Sequence, residues 1–390
     1  MERYYGATPL ASNSEWRFGE VISLSGAMGV SEGKEFRGRS FAAKLVWERR
    51  VWTWLCDLLD VSRPSLMILG NDDGLWQNML VQACRQKGVP TLLVQDGILL
   101  AREASPFALW SAGGLLTAGE ARSLLRRVAR APYLWCLHRL GVLSGNGRYG
   151  AAGCDRIAVM GTVYRDLLVS EGIPASRIVV TGQPRFHQGV RKGPPVGQRG
   201  CRVLVADYLY GNWADRWRRE DRAILEQVVR FARGNPRGGI VVRPHPGEPA
   251  EWYWEHLSGI LHPGDETAVE VTRVESLEKQ LLWADVVLTR GSTVILEASL
   301  SGCSVVFVDT HRRSTGRTSS IADLRDIEGL VRVDAVEDVS AALLGAWRLG
   351  QPSAHHHVDA YVAACGGVAS RAVADVIGSM LVASAEATTV

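Results

Sequence analysis

From residue 66 onward, short and wholly apolar runs alternate with longer segments of helical spacing. A run apolar on both of its faces needs cover on both, which is the signature of a parallel sheet wrapped by helices. "LMILGND" (66–72) reads as a strand buried on both faces, "GLWQNMLVQACRQKG" (74–88) as a helix and "VPTLLVQDG" (89–97) as the next strand. Residues 115–140 have helical spacing with a break at Pro132. "DRIAVMG" (155–161), "TVYRDLLVSEG" (162–172) and "RIVVTGQPRF" (177–186) continue as strand, helix and strand.

Residues 187–200, "HQGVRKGPPVGQRG", lose the apolar periodicity and have the composition of a linker. The alternation then restarts. Strands are expected at 202–208, 239–246, 286–289, 304–309 and 330–334, with helices at 214–233, 276–284, 293–301, 336–347 and 367–384. A chain of 390 residues exceeds the usual single core. The expected division is a first Rossmann-like domain over 1–190, a second over 201–365 and a C-terminal helix over 366–390. Two doubly wound parallel sheets of this α/β class face each other across a cleft at their carboxyl ends. Residues 36–60 have helical spacing, and the segment before them is not assigned.

Composition narrows the class of function. A formal charge of +3 argues against general nucleic-acid binding. The seven cysteines are scattered and never spaced C-x-x-C, so neither a disulfide framework nor a zinc site is expected. No uncharged apolar run reaches the roughly 18 residues of a membrane span, and no signal pattern opens the chain. The expectation is a cytoplasmic protein. "RSLLRRVARAPYLWCLHRL" (122–140) interleaves Arg with Leu and Trp, which suits either contact with the inner face of an anionic membrane or a solvated helix face.

The chemistry is expected at strand ends. "VVRPHPGE" (241–248) closes a strand with Arg243 and His245, the histidine held between two prolines that restrict its backbone. "VLTRGSTVILEAS" (287–299) runs from a strand through Gly291, Ser292 and Thr293 into a helix. Helix starts leave unpaired N–H groups, which either an anion or a Ser/Thr cap can satisfy. Glu297 shares a helix face with Thr293, and the apolar Val294, Ile295 and Ala298 should turn it away from the core. A carboxylate there either accepts from vicinal sugar hydroxyls or complements the helix dipole.

In the first half, "LGNDDG" (69–74) and "LLVQDG" (92–97) end strands with Asp72, Asp73 and Asp96, as turns do and as a general base would. Gln183 of "TGQPRF" could contact a ligand or shape the hinge, and Tyr208, Tyr210 and Asn212 could line a nucleotide. The consecutive His355, His356 and His357 suit a loop better than a metal. No metal site and no bound cofactor are expected.

"RPHP" followed by "ADVVLTRGSTVILEASLSGCSVVFVD" resembles GT-B glycosyltransferases of the bacterial surface-polysaccharide kind. It is similar to CDP-glycerol glycerophosphotransferases, capsule transferases and bacterial sialyltransferases. The sialyltransferase motifs would fall on Asp72-Asp73-Gly74 (or the partial match Asp96-Gly97), His245-Pro246 and Ser292-Thr293. The capsule group often carries Q-H-G where this chain has Gln95-Asp96-Gly97.

The resemblance covers roughly residues 65–310. It implies a nucleotide-sugar donor, CMP- or CDP-linked in preference to UDP-linked, and a hydroxyl acceptor that is a glycan, a lipid-linked group or a small molecule. It also implies a metal-independent, inverting displacement in which Asp96 is the base, with Asp72 or Asp73 as the fallback. Arg243, His245 and the Ser292-Thr293 amides would hold the leaving phosphate.

Two other classes fit the same architecture. A non-hydrolysing UDP-sugar 2-epimerase usually shows Ser-Gly-Gly where this chain has Gly291-Ser292-Thr293, and paired acids where it has Leu296-Glu297. A non-catalytic nucleotide-sugar binder would bind without turnover.

Overall fold

The structure, a computed structural model, describes residues 41–72, 74–99, 136, 139, 149–187, 200–207, 215–245, 250–265, 268–290, 292–310, 324, 327, 329–350 and 358–389. Its contacts group into two compact units, one formed by residues 1–67, 72–91 and 115–153 and the other by 68–71, 92–114 and 154–390.

In the first unit, helices α1 (Phe41–Ser62) and α2 (Leu75–Gln86) pack through Val51, Leu55, Leu59, Met79 and Ala83. Trp47 and Trp76 meet with ring centroids 4.5 Å apart, a tilted contact that adds about 0.5–1.5 kcal/mol to the area buried. Asp72 is buried in this unit. Its Oδ1 accepts the Gly150 N–H at 2.7 Å and its Oδ2 the Ala152 N–H at 3.1 Å.

The second unit carries two sheets. The smaller runs β1 (Met67–Leu69), β2 (Thr91–Val94), β3 (Arg156–Val159), β4 (Ile178–Val180) in spatial order, with β2, β3 and β4 parallel. β1 was expected to be buried on both faces, but Ile68 is 51% exposed, because β1 is an edge strand of only three residues. Helix α3 (Thr162–Ser170) follows β3.

The larger sheet comprises β5 (Arg202–Asp207), β6 (Gly239–Pro244), β7 (Val269–Val271), β8 (Val286–Thr289), β9 (Ser304–Val308) and β10 (Leu330–Val333). All its pairs are parallel, in the order β10-β9-β8-β5-β6-β7. Helices α4 (Asp215–Arg233), α5 (Ala250–Ser258) and α8 (Val339–Leu349) share one core with Val203, Val205, Val242, Leu288 and Val306. Helix α6 (Leu277–Trp283) packs on β5, and α7 (Val294–Leu300) on β8 and β9. The alternate residues Leu204, Val287, Val305 and Phe307 are equally buried. The sheet is therefore covered on both faces, as its apolar runs require. Each fully buried Val or Leu contributes about 1.5–3 kcal/mol.

Residues 358–365 return to the small sheet. Ala363 N–H donates to Met160 O at 2.9 Å, Val163 N–H to Ala360 O at 3.0 Å and Gln183 N–H to Ala364 O at 2.8 Å. Gly182 sits at φ +83°, and a Cβ there would lie 2.2 Å from Ala364 O. Only glycine admits both that backbone and that approach.

Helix α9 (Gly366–Thr389) follows. Its Gly366–Ala383 stretch, of mean hydropathy 1.3, is by length and composition alone long and apolar enough to cross a membrane. It carries Arg371 and Asp375; its Ala369, Val376 and Met380 are buried, while Val368, Leu381 and Val382 are exposed.

Most elements match the expected ones to within a few residues, but the strand expected at 177–186 ends at Val180 and the rest of that segment is irregular. The expected helix at 336–347 divides into a 3-10 turn at Val336–Asp338 and α8. α5 and β7 were not expected: α5 is aromatic on several sides and β7 is three residues long, so neither shows a clear period. The linker at 188–199 lies outside the described residues, as does most of 115–140, where Cys136 and Arg139 are helical.

Candidate functional site

The larger sheet reverses its winding at β5. The chain steps outward to β6 and β7 on one side, then returns to β8, β9 and β10 on the other. In open α/β sheets a ligand crevice forms at the carboxyl ends of the strands flanking such a reversal. The segments leaving β6, β7 and β8 there carry the charged side chains.

β6 delivers Arg243 and, one residue past its end, His245. Arg243 is half-buried, and its Nη1 donates to Glu275 O at 2.7 Å and to Gln280 Oε1 at 2.8 Å. Gln280, on α6, is buried and makes no other side-chain hydrogen bond through Nε2. Its role is to hold the guanidinium. After β7, Arg273 Nη1 donates to His245 O at 3.4 Å. Partial burial, and then the charge of Arg273, lower the His245 pKa from its usual value. Arg243 is likewise lowered, by burial first and then by Arg273, against an opposing pull from Glu297.

Glu297 lies on α7 with its side chain 17% exposed. Of the expected apolar face of α7, Ile295 and Ala298 are in the core, whereas Val294 is only partly buried and Leu296 is buried in its stead. Glu297 itself is turned into a sheltered place rather than out to solvent. Burial raises its pKa, opposed by Arg185, His187 and Arg243. One sheltered carboxylate thus has basic groups drawn from two separate strand ends, those of β4 and β6.

The start of α7 answers the choice between cap and anion site only in part. Thr293 is the N-cap, in helical geometry (φ −50°, ψ −22°), and its side chain makes no capping bond. Ser292 Oγ accepts the Val294 N–H at 3.4 Å, a long contact. Neither hydroxyl makes a strong cap.

The arginine that interrupts the β8–α7 connection has a structural explanation. Arg290 is 5% exposed, pairs through Nη1 with the buried Asp221, and donates through Nη2 to Glu220 Oε2 at 3.2 Å. Thr310, after β9, donates from Oγ1 to the same Glu220 oxygen at 3.0 Å. This network ties the ends of β8 and β9 to α4.

In the small sheet, Asp96 follows β2 with its side chain 73% exposed. Arg185, beyond β4, donates from Nη1 to Asp96 Oδ1 at 3.2 Å and from Nη2 to Asp96 O at 3.0 Å. The same Nη2 lies 4.0 Å from Glu297 Oε1. Gln95 and Gln183 brace this corner. Gln95 Oε1 accepts the Met160 N–H at 2.9 Å, and Gln183 Nε2 donates to Gln95 O at 2.8 Å.

The structure therefore brings Asp96, Arg243, His245 and Glu297 into one charged neighbourhood with Ser292 and Thr293 on its helix. It does not add Gln183, which is buried with its amide engaged inside the protein, nor Asp72, whose two oxygens hold a backbone turn in the first unit. Asp73, Tyr208, Tyr210, Asn212, Gly291, Pro246 and His355–His357 lie outside the described residues. Arg185, Arg273 and Gln280 were not singled out from sequence. "GQPRF" placed Arg185 at a strand end, whereas a lone Arg or Gln in a loop or helix carries no signal of its own.

No protein-family model matches the sequence, and no curated protein is similar to it. Solved structures are similar in fold. A putative UDP-N-acetylglucosamine 2-epimerase from Listeria monocytogenes superposes with a TM-score of 0.51 at 14% identity, over 87% of this chain and 79% of the other. The S. aureus MnaA–UDP co-structure gives 0.52 at 15% identity, over 87% and 81%. UDP-N-acetylglucosamine 2-epimerase from Rickettsia bellii gives 0.52 at 14% identity, over 91% and 84%. At these identities the likeness is one of fold, and the chain has the GT-B architecture of two parallel-sheet α/β domains.

Proposed function

We propose that the chain is a glycosyltransferase that takes a sugar, or a polyol phosphate, from a nucleotide-activated donor and passes it to a hydroxyl acceptor. The observation that carries this reading is the charge pattern around Glu297. Arg185, His187 and Arg243 act on it, with Arg273 and His245 beyond them. Guanidinium and imidazole groups suit the phosphates of a nucleotide, and a sheltered carboxylate suits the vicinal hydroxyls of its ribose. Arg243, His245 and the Ser292-Thr293 amides then stabilise the charge that develops on the leaving phosphate. For a sugar donor Asp96 removes the acceptor proton as the hydroxyl attacks the anomeric carbon and the nucleotide leaves, giving inversion in a single displacement; for a polyol phosphate the hydroxyl attacks the phosphorus that carries the polyol and the nucleoside monophosphate leaves. The donor is CMP- or CDP-linked in preference to UDP-linked. The arginines take the phosphate charge, so turnover persists in EDTA.

Epimerisation of a UDP-sugar is the second reading, favoured by the fold likeness to UDP-N-acetylglucosamine 2-epimerases. Leu296 weighs against it. Where that family has paired acids, this chain has one acid and a leucine that is fully buried in the core.

Product analysis separates the readings. Nucleotide-sugars are incubated with and without a mixture of hydroxyl acceptors and followed by NMR. Nucleotide release that depends on acceptor supports transfer. Inversion at C2 with no nucleotide released establishes epimerisation, and binding without turnover points to a non-catalytic role.

A further inference from the structure

Arg185 differs from the other cations at the site in what it holds. Arg243 is fixed by a backbone carbonyl and by Gln280. Arg185 instead spends its guanidinium on Asp96, through the carboxylate at 3.2 Å and the carbonyl at 3.0 Å, while reaching to within 4.0 Å of Glu297. Its root is secure. The Arg185 N–H donates to Gln183 Oε1 at 3.3 Å, and the guanidinium lies 5.6 Å from the centroid of the buried Phe186 ring. Its head is 48% exposed and Asp96 is 73% exposed. Ion pairs this wet are weak. A phosphate offers the same fork a more highly charged, bidentate partner. The partner that would be given up is the very carboxylate assigned to the acceptor.

We propose that Arg185 is a phosphate-binding residue of the donor site, held on Asp96 in the ligand-free protein, so that donor binding releases the Asp96 carboxylate for the acceptor hydroxyl. This rests on the donor-site reading above. It adds an order to the reaction: the base is engaged until the donor is seated, so an acceptor arriving first meets a carboxylate occupied by an arginine. Only hydrogen bonds are exchanged, with no covalent step beyond the transfer already described.

The test is a double-mutant cycle on nucleotide affinity, measured calorimetrically with CDP and with UDP for the full chain and its Asp96→Asn, Arg185→Gln and doubly substituted variants. Arg185→Gln is expected to weaken the nucleotide that binds about tenfold or more, as loss of a charged hydrogen bond does. Asp96→Asn is expected to tighten it by about two- to fivefold, the influence of one exposed ion pair. That gain should vanish in the Arg185→Gln background. Arg185→Lys, which keeps charge but not the fork, should fall between wild type and Arg185→Gln, and Arg185→Met, which also removes the charge, serves in place of Arg185→Gln if that variant does not fold.

An equal gain from Asp96→Asn in both backgrounds would reduce the effect to the general field of Asp96 and overturn the exchange. Unchanged affinity in Arg185→Gln would also overturn it, while leaving the donor site standing. If neither these two nucleotides nor CMP or GDP binds the wild-type chain, the donor-site reading falls and this inference with it.

Discussion

His245 and Asp96 are the residues on which chemistry turns, and the structure gives each a distinct constraint. Partial burial and Arg273 disfavour the imidazolium, so the folded pKa of His245 lies below the usual 6.5. A bound phosphate brings negative charge and raises it again. Between those two values nucleotide binding takes up a proton at His245, so His245 favours binding increasingly as pH falls from the bound-state value toward the lower free-state value. Calorimetry in buffers of differing ionisation enthalpy should show more proton uptake in wild type than in His245→Asn, the difference being the contribution of the imidazole. Asp96 should matter to turnover: Asp96→Asn is expected to lower the single-turnover rate constant by at least about 10²-fold.

At this scale the sequence was informative where the backbone is constrained. Arg243, His245 and Glu297 were placed by strand ends and helix phase. Asp72 and Gln183 were not separable from Asp96 by sequence, because whether a carboxylate meets solvent or a distant backbone N–H, or an amide a distant backbone C=O, depends on residues some 80 positions away.

The elements were legible where they are long and periodic. α4, β8 and α7 fall within a residue of expectation, because buried parallel strands and amphipathic helices have clear signatures. α5 and β7 lacked one. The return of 358–365 onto the small sheet also left no local trace, since it is built from backbone bonds. Its tightness is testable. Gly182→Ala combines a left-handed backbone, costing about 1–3 kcal/mol, with a 2.2 Å collision against Ala364 O. Its melting temperature should fall by more than about 4 °C at roughly 2–4 °C per kcal/mol. Gly172→Ala, at φ +91° with open space around it, should fall by less. Arg290 is a second element-level joint. Arg290→Leu leaves Asp221 and Glu220 facing a hydrocarbon, and loss of one partner of a buried pair costs about 3–5 kcal/mol. Denaturant unfolding should show that loss, and Arg290→Lys should recover part of it.

For the whole molecule, the doubly wound α/β architecture followed from periodicity alone, but what the site does rests on where separate strand ends deliver their charges. The central claim is that the carboxyl edge of the larger sheet binds a nucleotide through His245 and the start of α7. It is tested most directly by thermal shift with CMP, CDP, UDP and GDP on wild type, His245→Ala and Ser292→Ala. At 100-fold over Kd a bound nucleotide adds about 2.7 kcal/mol to stability. A cytidine nucleotide should raise the melting temperature of wild type most, and the rise should shrink in both variants while their unliganded melting temperatures stay close to wild type. A rise of equal size in all three proteins, or none with any of the four nucleotides, would contradict the central claim.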